Sequence, residues 1–173
     1  KRDYHKISFV ASFQGSYLMI AKWFIEEVWT EVIKIEPNAR LHLVGNNKAE
    51  FRDIFDPNIK RTLIVEKYYE DLKDFYVDTN IAVTPIFKGY GLINKTVEAM
   101  QHGCIVIGDK AAFNGIEYAE NKINCMIAET AQEFTELILY YIKHENEDMR
   151  KKAKEAIVNS FDKSKYINLL DIM

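Results

Sequence analysis

Short apolar runs alternate with helix-forming segments along nearly the whole chain, and this alternation is the feature that most limits the possible folds. Adjacent side chains within each run are apolar, which predicts strands that are buried on both faces. Strands of this kind, joined by helical crossovers, form a parallel sheet between two layers of helices. We expect strands at 7–11, 41–45, 62–65, 81–84 and 104–107, with a weaker one at 124–127.

Helical periodicity fills the segments between these runs. Apolar residues at three-and-four spacing predict an amphipathic helix over 17–35, and Gly103 stands where glycine commonly ends a helix, here one over 92–102. Further helices are expected at 48–55, 69–77, 131–143, 147–160 and 164–172. The predicted architecture is α/β: a Rossmann-like, doubly wound parallel sheet of about six strands with helices on both faces, forming one domain over 1–173.

The composition excludes several functional classes. The net charge is -3 and there is no basic run, so a nucleic-acid partner is not expected. Cys104 and Cys125 lie in apolar stretches and are predicted to be buried thiols of a reducing compartment, which indicates a cytoplasmic protein. No apolar run approaches the roughly 20 residues of a transmembrane helix. The histidines are scattered without metal-ligand spacing, so no metal cofactor is expected.

In a sheet of this type, ligands bind beyond the carboxyl ends of the strands. The loops after the first, third and fourth predicted strands, at 12–16, 66–69 and 86–91, are therefore the candidate binding loops. The first loop lacks the Gly-x-Gly-x-x-Gly pattern of a dinucleotide enzyme, and no cluster of acids follows its strand as in a receiver domain. Both of these Rossmann-like alternatives are disfavoured.

The loop after the fourth strand has the composition of an anion site. Gly89 and Gly91 flank Tyr90 just before the predicted helix, and glycine lets a ligand approach the backbone closely. The amides of Gly91, Leu92 and Ile93 are expected to point out of the helix N-terminus, where the helix dipole also favours an anion such as a diphosphate.

Two charged residues follow on the same predicted helix. Lys95 is a candidate partner for phosphate oxygens, and the carboxylate of Glu98 is a candidate acceptor for two ribose hydroxyls. The alternative is a solvated ion pair at spacing three, worth a few tenths of a kcal/mol. Trp23 and Phe24 follow helical spacing, and we expect them to pack in the core rather than to stack on a sugar.

This stretch resembles the carboxy-terminal, donor-binding domain of the GT-B-fold glycosyltransferases grouped in glycosyltransferase family 4, the group 1 glycosyl transferases. In that family a strand that ends in proline leads to Gly-x-Gly, then Lys, then Glu-Ala-Met, then a Gly-x-Val-Val-type strand. The resemblance covers roughly residues 7–142. The matching residues are Pro85, Gly89, Gly91, Lys95, Glu98-Ala99-Met100 and Gly103-Cys104-Ile105-Val106, with Asn114-Gly115-Ile116 after them.

The resemblance implies roles for several residues. Glu98 corresponds to the second acid of the family's Glu-seven-residues-Glu motif, which holds the ribose hydroxyls of the donor. The amides at 91–93 correspond to its pyrophosphate seat, and Glu66-Lys67-Tyr68 corresponds to the loop that borders the nucleotide base. Tyr90 stands where the first acid is expected, a departure shared with the Gly-x-Gly branch of the family. It leaves the donor sugar without that carboxylate contact.

A second departure concerns the loop that contains Gly15. The family often carries a basic pair after its first strand that binds phosphates, and the loop at 12–16 offers none. Lys95 or Lys88 is then expected to supply the positive charge for the phosphates. Gly15 itself is a candidate donor-binding residue, because it lies in the loop after the first strand.

A function follows from the resemblance as an expectation. The chain is expected to be the donor-binding half of a retaining, metal-independent glycosyltransferase that uses a nucleoside-diphosphate sugar such as a UDP-sugar. Its own N-terminal GT-B domain is expected to hold the acceptor, since the sequence begins at Lys1 without methionine. The chain alone should bind a nucleoside diphosphate without turnover, and no catalytic residue is assigned. The alternative is a non-catalytic domain of the same fold that binds a nucleotide or a partner.

Overall fold

A computed structural model describes residues 2–45, 56–66, 69, 71–88 and 91–162. Six strands form one parallel sheet, in the spatial order β3-β2-β1-β4-β5-β6. This is the strand order of the doubly wound dinucleotide-binding sheet, so the predicted fold class is confirmed. The strands are β1 (Asp3–Val10), β2 (Arg40–Val44), β3 (Leu63–Val65), β4 (Thr79–Thr84), β5 (Ile105–Gly108) and β6 (Met126–Ile127).

Apart from a short helix at 57–60 that was not predicted, the described helices occupy predicted segments with some changes of length. The first is continuous over residues 15–35 and consists of α1 (Gly15–Trp23), a segment of wider π winding (Phe24–Trp29) and α2 (Thr30–Ile35). The predicted helices at 48–55 and 164–172 lie outside the described residues. The remaining helices are α3 (Pro57–Lys60), α4 (Lys73–Tyr76), α5 (Asn94–Gln101), α6 (Ala131–Lys143) and α7 (Glu147–Ser160), with a 3-10 turn at Lys110–Phe113.

Three elements differ from the prediction. β1 begins at Asp3 rather than at residue 7, because the ammonium of Lys6 is paired inside the fold with Asp78 at 2.6 Å. The short helix α3 was not predicted; it begins at Pro57, and the side chain of Asp56 caps it by accepting from the Asn58 amide. The helix predicted at 69–77 is limited to α4.

Apolar cores lie on both faces of the sheet. The long first helix and α6 cover one face, and α4, α5 and α7 cover the other. Ile81 faces the first core and its neighbour Ala82 the second, which explains why the strands read as continuous apolar runs. Cys104 and Cys125 are buried and unpaired, as predicted, and burial raises the pKa of the Cys104 thiol to about 11.

The centre of the sheet positions the site. β1 and β4 are adjacent, yet the chain leaves β1 for α1 on one face and leaves β4 for α5 on the other. The two connections therefore diverge and open a crevice at the carboxyl ends of these strands, which is where such sheets bind ligands. None of the helices in the described part of the chain combines the length and the apolar character needed to cross a membrane.

Candidate functional site

The first wall of the crevice is the connection from β1 to α1. Gly15 opens the helix with a φ of 52°, and a Cβ built there would meet no atom within 4 Å, so this backbone borders open space. The amides of Tyr17 and Leu18 are the first to bond back to the carbonyl of Gln14. The amides of Gly15 and Ser16 thus precede the helical hydrogen bonds and are placed to donate to a ligand.

The second wall is the segment that leads from β4 into α5. Gly91 has a φ of 95°, and a Cβ on it would also meet nothing within 4 Å. α5 begins at Asn94 rather than at residue 92, because the amides of Thr96 and Val97 bond to the carbonyl of Ile93 and make that residue the N-cap. The amides at 91–93 therefore belong to the approach to the helix, and its first-turn amides start at Asn94.

Four predicted site residues cannot be placed. Gly89, Tyr90, Lys67 and Tyr68 lie outside the described residues, and the predictions about them stay predictions. Lys88 is described. Its side chain is exposed on a depression between the loop after β4 and α1 that adjoins the first cavity through Tyr17 and Ile86, and it lines neither cavity beside Lys95.

Lys95 stands between the two walls of the crevice. Its Nζ lies 5.5 Å from the centre of the Tyr17 ring, and its side chain is half-buried. In the described part of the chain, no carboxylate oxygen lies within 4.0 Å of this ammonium. Burial lowers the pKa of Lys95, while the charge of Glu98 opposes that shift. An anion bound at this point would relieve the desolvation of the ammonium.

Glu98 lies one turn further along α5 and is also half-buried. Burial raises the pKa of Glu98; the charge of Lys95 opposes the shift and that of Asp71 adds to it. Among the described residues, no side chain or amide donates a hydrogen bond to its carboxylate. Both oxygens are therefore available to hydroxyl groups of a ligand.

Two cavities adjoin Lys95, one on each side. The first, of about 240 Å³, lies between α1, β4 and α5. The second, of about 190 Å³, lies at the ends of β1 and β2. Together they form a path for an extended ligand that passes the ammonium. Phe9, Val10, Tyr17, Thr84, Ile86 and residues 92–95 line the first cavity, and Val10, Ala11, Ser12, Val44, Gly45, Tyr69, Leu72 and Lys95 line the second.

A hydrogen-bond network that sequence reasoning missed borders the second cavity. His42 Nδ1 lies 2.5 Å from one carboxylate oxygen of Glu66, and the hydroxyl of Tyr69 donates to the other at 3.1 Å. Burial lowers the pKa of His42, and the hydrogen bond to Glu66 opposes that shift. The network fixes Tyr69 at the cavity wall. A histidine within an otherwise apolar strand is the one signal of it in the sequence.

Charge and shape together indicate the kind of ligand. The crevice lies beside two helix N-termini and contains the ammonium of Lys95 between two partly apolar cavities. The carboxylate of Glu98 lies one turn further along α5 and lines neither cavity. That set fits an elongated molecule with an anionic centre and hydroxyl groups. Within the described residues, no group of three or more His, Cys, Asp or Glu side chains is arranged to hold a metal ion.

Comparison with solved structures gives the same fold at low sequence identity. A structure of S. aureus TarM in complex with Fondaparinux, alpha-GlcNAc-glycerol and UDP has a TM-score of 0.81 at 17% identity, over 97% of this chain and 35% of that one. The pneumococcal O-GlcNAc transferase GtfA in complex with UDP and GlcNAc has a TM-score of 0.73 at 16% identity, over 98% and 36%. Anabaena HepE in complex with UDP-glucose has 0.73 at 14% identity, over 98% and 49%.

The chain thus spans between a third and a half of the length of these structures. No curated protein sequence matches it. A family model described as Glycosyl transferases group 1 matches residues 4–144, which is most of the chain. The resemblance drawn from the sequence is confirmed at the level of family and fold: this chain belongs to the group 1 glycosyl transferases.

Proposed function

We propose that this chain binds a nucleoside-diphosphate sugar, with UDP as the nucleotide, as the donor for glycosyl transfer. The observation that carries the proposal is Lys95, a half-buried ammonium between two cavities, with the carboxylate of Glu98 one turn away. The UDP complexes of TarM, GtfA and HepE support the choice of nucleotide, since their folds superimpose on this one.

The parts of the donor can be assigned along the crevice. Glu98 accepts hydrogen bonds from the ribose hydroxyls, and Lys95 neutralises the diphosphate together with the amides at 91–94. The amide of Gly15 faces the same phosphates from the opposite wall. The second cavity takes the base, with Tyr69 at its wall, and the first cavity takes the sugar. This order keeps the charged centre of the donor beside the ammonium of Lys95, which lines both cavities.

Transfer requires more than this chain supplies. The matched structures are two to three times longer, and we propose that an acceptor-binding N-terminal domain completes the cleft. The reaction is proposed to retain the configuration of the sugar and to need no metal ion, because the lysine and the helix N-termini neutralise the diphosphate. The chain alone should bind the donor without turnover.

Isothermal titration calorimetry with UDP tests the proposal directly. We expect saturable binding in the millimolar range or tighter, unchanged after chelation of divalent metals with EDTA, because no metal takes part in holding the diphosphate. Uridine, which lacks the phosphates, is the control and should bind markedly more weakly. A folded protein that shows no heat with UDP, GDP or ADP at millimolar concentration would contradict the proposal. UDP binding without transfer by the longer protein would favour the non-catalytic alternative.

Replacing Lys95 with methionine should weaken UDP binding about tenfold, since one charge-assisted contact to a phosphate is worth roughly 1.5 kcal/mol. Methionine keeps the apolar length of the side chain. The loss should shrink as salt is added, because salt screens the interaction that the variant lacks. Lys34→Met is the matched control: Lys34 lies in α2, at the end of the first helix that is remote from the crevice, where it pairs with Glu31. Equal UDP affinities of Lys95→Met and Lys34→Met would contradict a contact between Lys95 and the diphosphate.

A further inference from the structure

Both carboxylate oxygens of Asp109, the residue directly after β5, accept hydrogen bonds from a different loop. The side chain is buried, with 2% of its surface exposed. One oxygen accepts from the Ile86 amide at 2.9 Å and the other from the Phe87 amide at 2.5 Å. Asp109 is also the N-cap residue of the 3-10 turn that follows it, yet its side chain makes no capping hydrogen bond there. The carboxylate is therefore committed to the segment that leaves β4.

That segment holds a strained turn. Phe87 has a φ of 56°, a left-handed conformation that is unfavourable for a bulky residue, and the Lys88 amide donates back to the carbonyl of Ile86 at 2.6 Å. The ring of Phe87 meets Trp23 edge-on, with the ring centres 4.7 Å apart. Such a conformation persists only where its surroundings hold it. Asp109 bonds to two of the three residues of this turn.

The turn lies upstream of the phosphate-binding segment. Ile86 lines the first cavity, and the chain reaches Gly91 only three residues after Lys88. Three residues span at most about 11 Å, so the position of the turn limits where the amides at 91–94 can lie. Gly108 keeps β5 close enough for Asp109 to reach the turn, since a Cβ at Gly108 would lie 2.5 Å from Thr84 Oγ1 and 2.7 Å from Ala112 Cβ.

We propose that Asp109 is a positioning residue for donor binding: by accepting from the Ile86 and Phe87 amides, it holds the strained turn that directs the phosphate-binding amides into the crevice. The inference rests on the proposed function, because it assigns to Asp109 an effect on the same donor. It adds a buried carboxylate that touches neither phosphate nor sugar and acts only through the backbone of the loop.

The chemistry of the side chain makes a sharp variant possible. Asparagine has nearly the shape of aspartate but one acceptor oxygen, and its NH2 group would face a backbone N–H instead of accepting from it. Asp109→Asn therefore removes one of the two hydrogen bonds and the negative charge while it preserves volume. The turn then loses one of the two hydrogen bonds that offset the strain of the left-handed Phe87 backbone, and the chain beyond the turn can rotate.

The experiment combines calorimetry with UDP and the backbone amide resonances of Ile86 and Phe87 in two-dimensional NMR. In the unmodified protein, both amides should resonate downfield, as expected for donors to a carboxylate. In Asp109→Asn they should move upfield, and the affinity for UDP should fall about tenfold while the rest of the spectrum keeps its dispersion. Phe87→Gly in the Asp109→Asn background should recover part of the affinity, because glycine adopts a positive φ without strain.

The matched control is Asp56→Asn, which makes the same change at a carboxylate that caps α3, ahead of β3 and away from the carboxyl ends of the strands. It should leave the affinity for UDP unchanged. If the unmodified protein binds UDP and Asp109→Asn binds it equally well, the inference about Asp109 is overturned and the proposed function stands. If the unmodified protein does not bind UDP, the proposed function fails and this inference fails with it.

Discussion

Replacing Glu98 with glutamine should cost most of the affinity for UDP and leave the fold intact. Each hydrogen bond to a charged acceptor contributes roughly 1.5–3 kcal/mol, so weakening the two proposed ribose contacts should raise the dissociation constant about tenfold to a hundredfold. Glu98→Ala should lose at least as much. Calorimetry with UDP measures both variants, and circular dichroism reports whether the fold is retained. Glu155→Ala, at an exposed glutamate on α7, is the matched control.

The acid side of the pH profile gives an independent check on Glu98. Burial raises the pKa of this carboxyl above its usual value of 4.5, so it takes up a proton at a higher pH than an ordinary glutamate. A protonated carboxyl is a weaker acceptor, and one of its oxygens becomes a donor, so the affinity should fall as the pH drops through this raised pKa. The UDP affinity of Glu98→Gln should not show this fall with decreasing pH. Because the diphosphate also titrates, the two proteins are compared at each pH. Superimposable profiles would argue against a ribose contact.

Replacing Arg150 with methionine should destabilise the fold by about 3 kcal/mol, the range found when one partner of a buried charged network is removed. The guanidinium is 3% exposed and donates to the carbonyls of Asn80 and Gly103 at 3.2 and 2.9 Å, and to the side chain of Asn80. Its Nε lies 3.3 Å from Glu147 in a geometry unsuited to a hydrogen bond. The variant would leave two buried carbonyls without this donor.

Urea unfolding measures the loss of stability at Arg150 through the shift in midpoint at constant slope. Lys151→Met is the matched control: its neighbour on α7 is exposed, forms only a loose pair with Glu155 at 3.9 Å, and should change stability by less than about 0.5 kcal/mol. A loss below about 1 kcal/mol in Arg150→Met would mean that water replaces the missing donor.

The sheet was predictable from the sequence because burial on both faces imposes a simple pattern. The central runs at 81–84 and 104–107 became β4 and β5 with little change, and the Gly103 ending of the preceding helix was confirmed by its φ of 70°. The first half of β1 was missed, because Lys6 is buried by partners far along the chain, at Phe75 and Asp78. A pattern read along neighbouring residues contains no sign of such a partner.

The position of the crevice was predictable from the strand ends, but the hydrogen bonds around it were not. Lys95 lines both cavities there, and the donor-binding roles of Lys95, Glu98, Gly91 and Gly15 stay predictions. The link between His42 and Glu66 spans 24 residues, and that between Asp109 and the turn after β4 spans 23. Both depend on which strands become neighbours, and a single sequence does not reveal that pairing residue by residue.

The π-wound segment Phe24–Trp29 gives the first helix one residue more than regular winding would hold between its two ends. The segment buries four of its six side chains, and Trp29 Nε1 donates to Thr62 Oγ1 at 2.9 Å. Deleting one residue here would restore regular winding and leave α1 and α2 in nearly the same relative orientation, with Tyr17 still at the crevice. Deleting one residue from the regularly wound α1 or α2 would instead rotate one end of the helix by about 100° relative to the other. A one-residue difference in length among relatives of this chain is therefore expected within this segment.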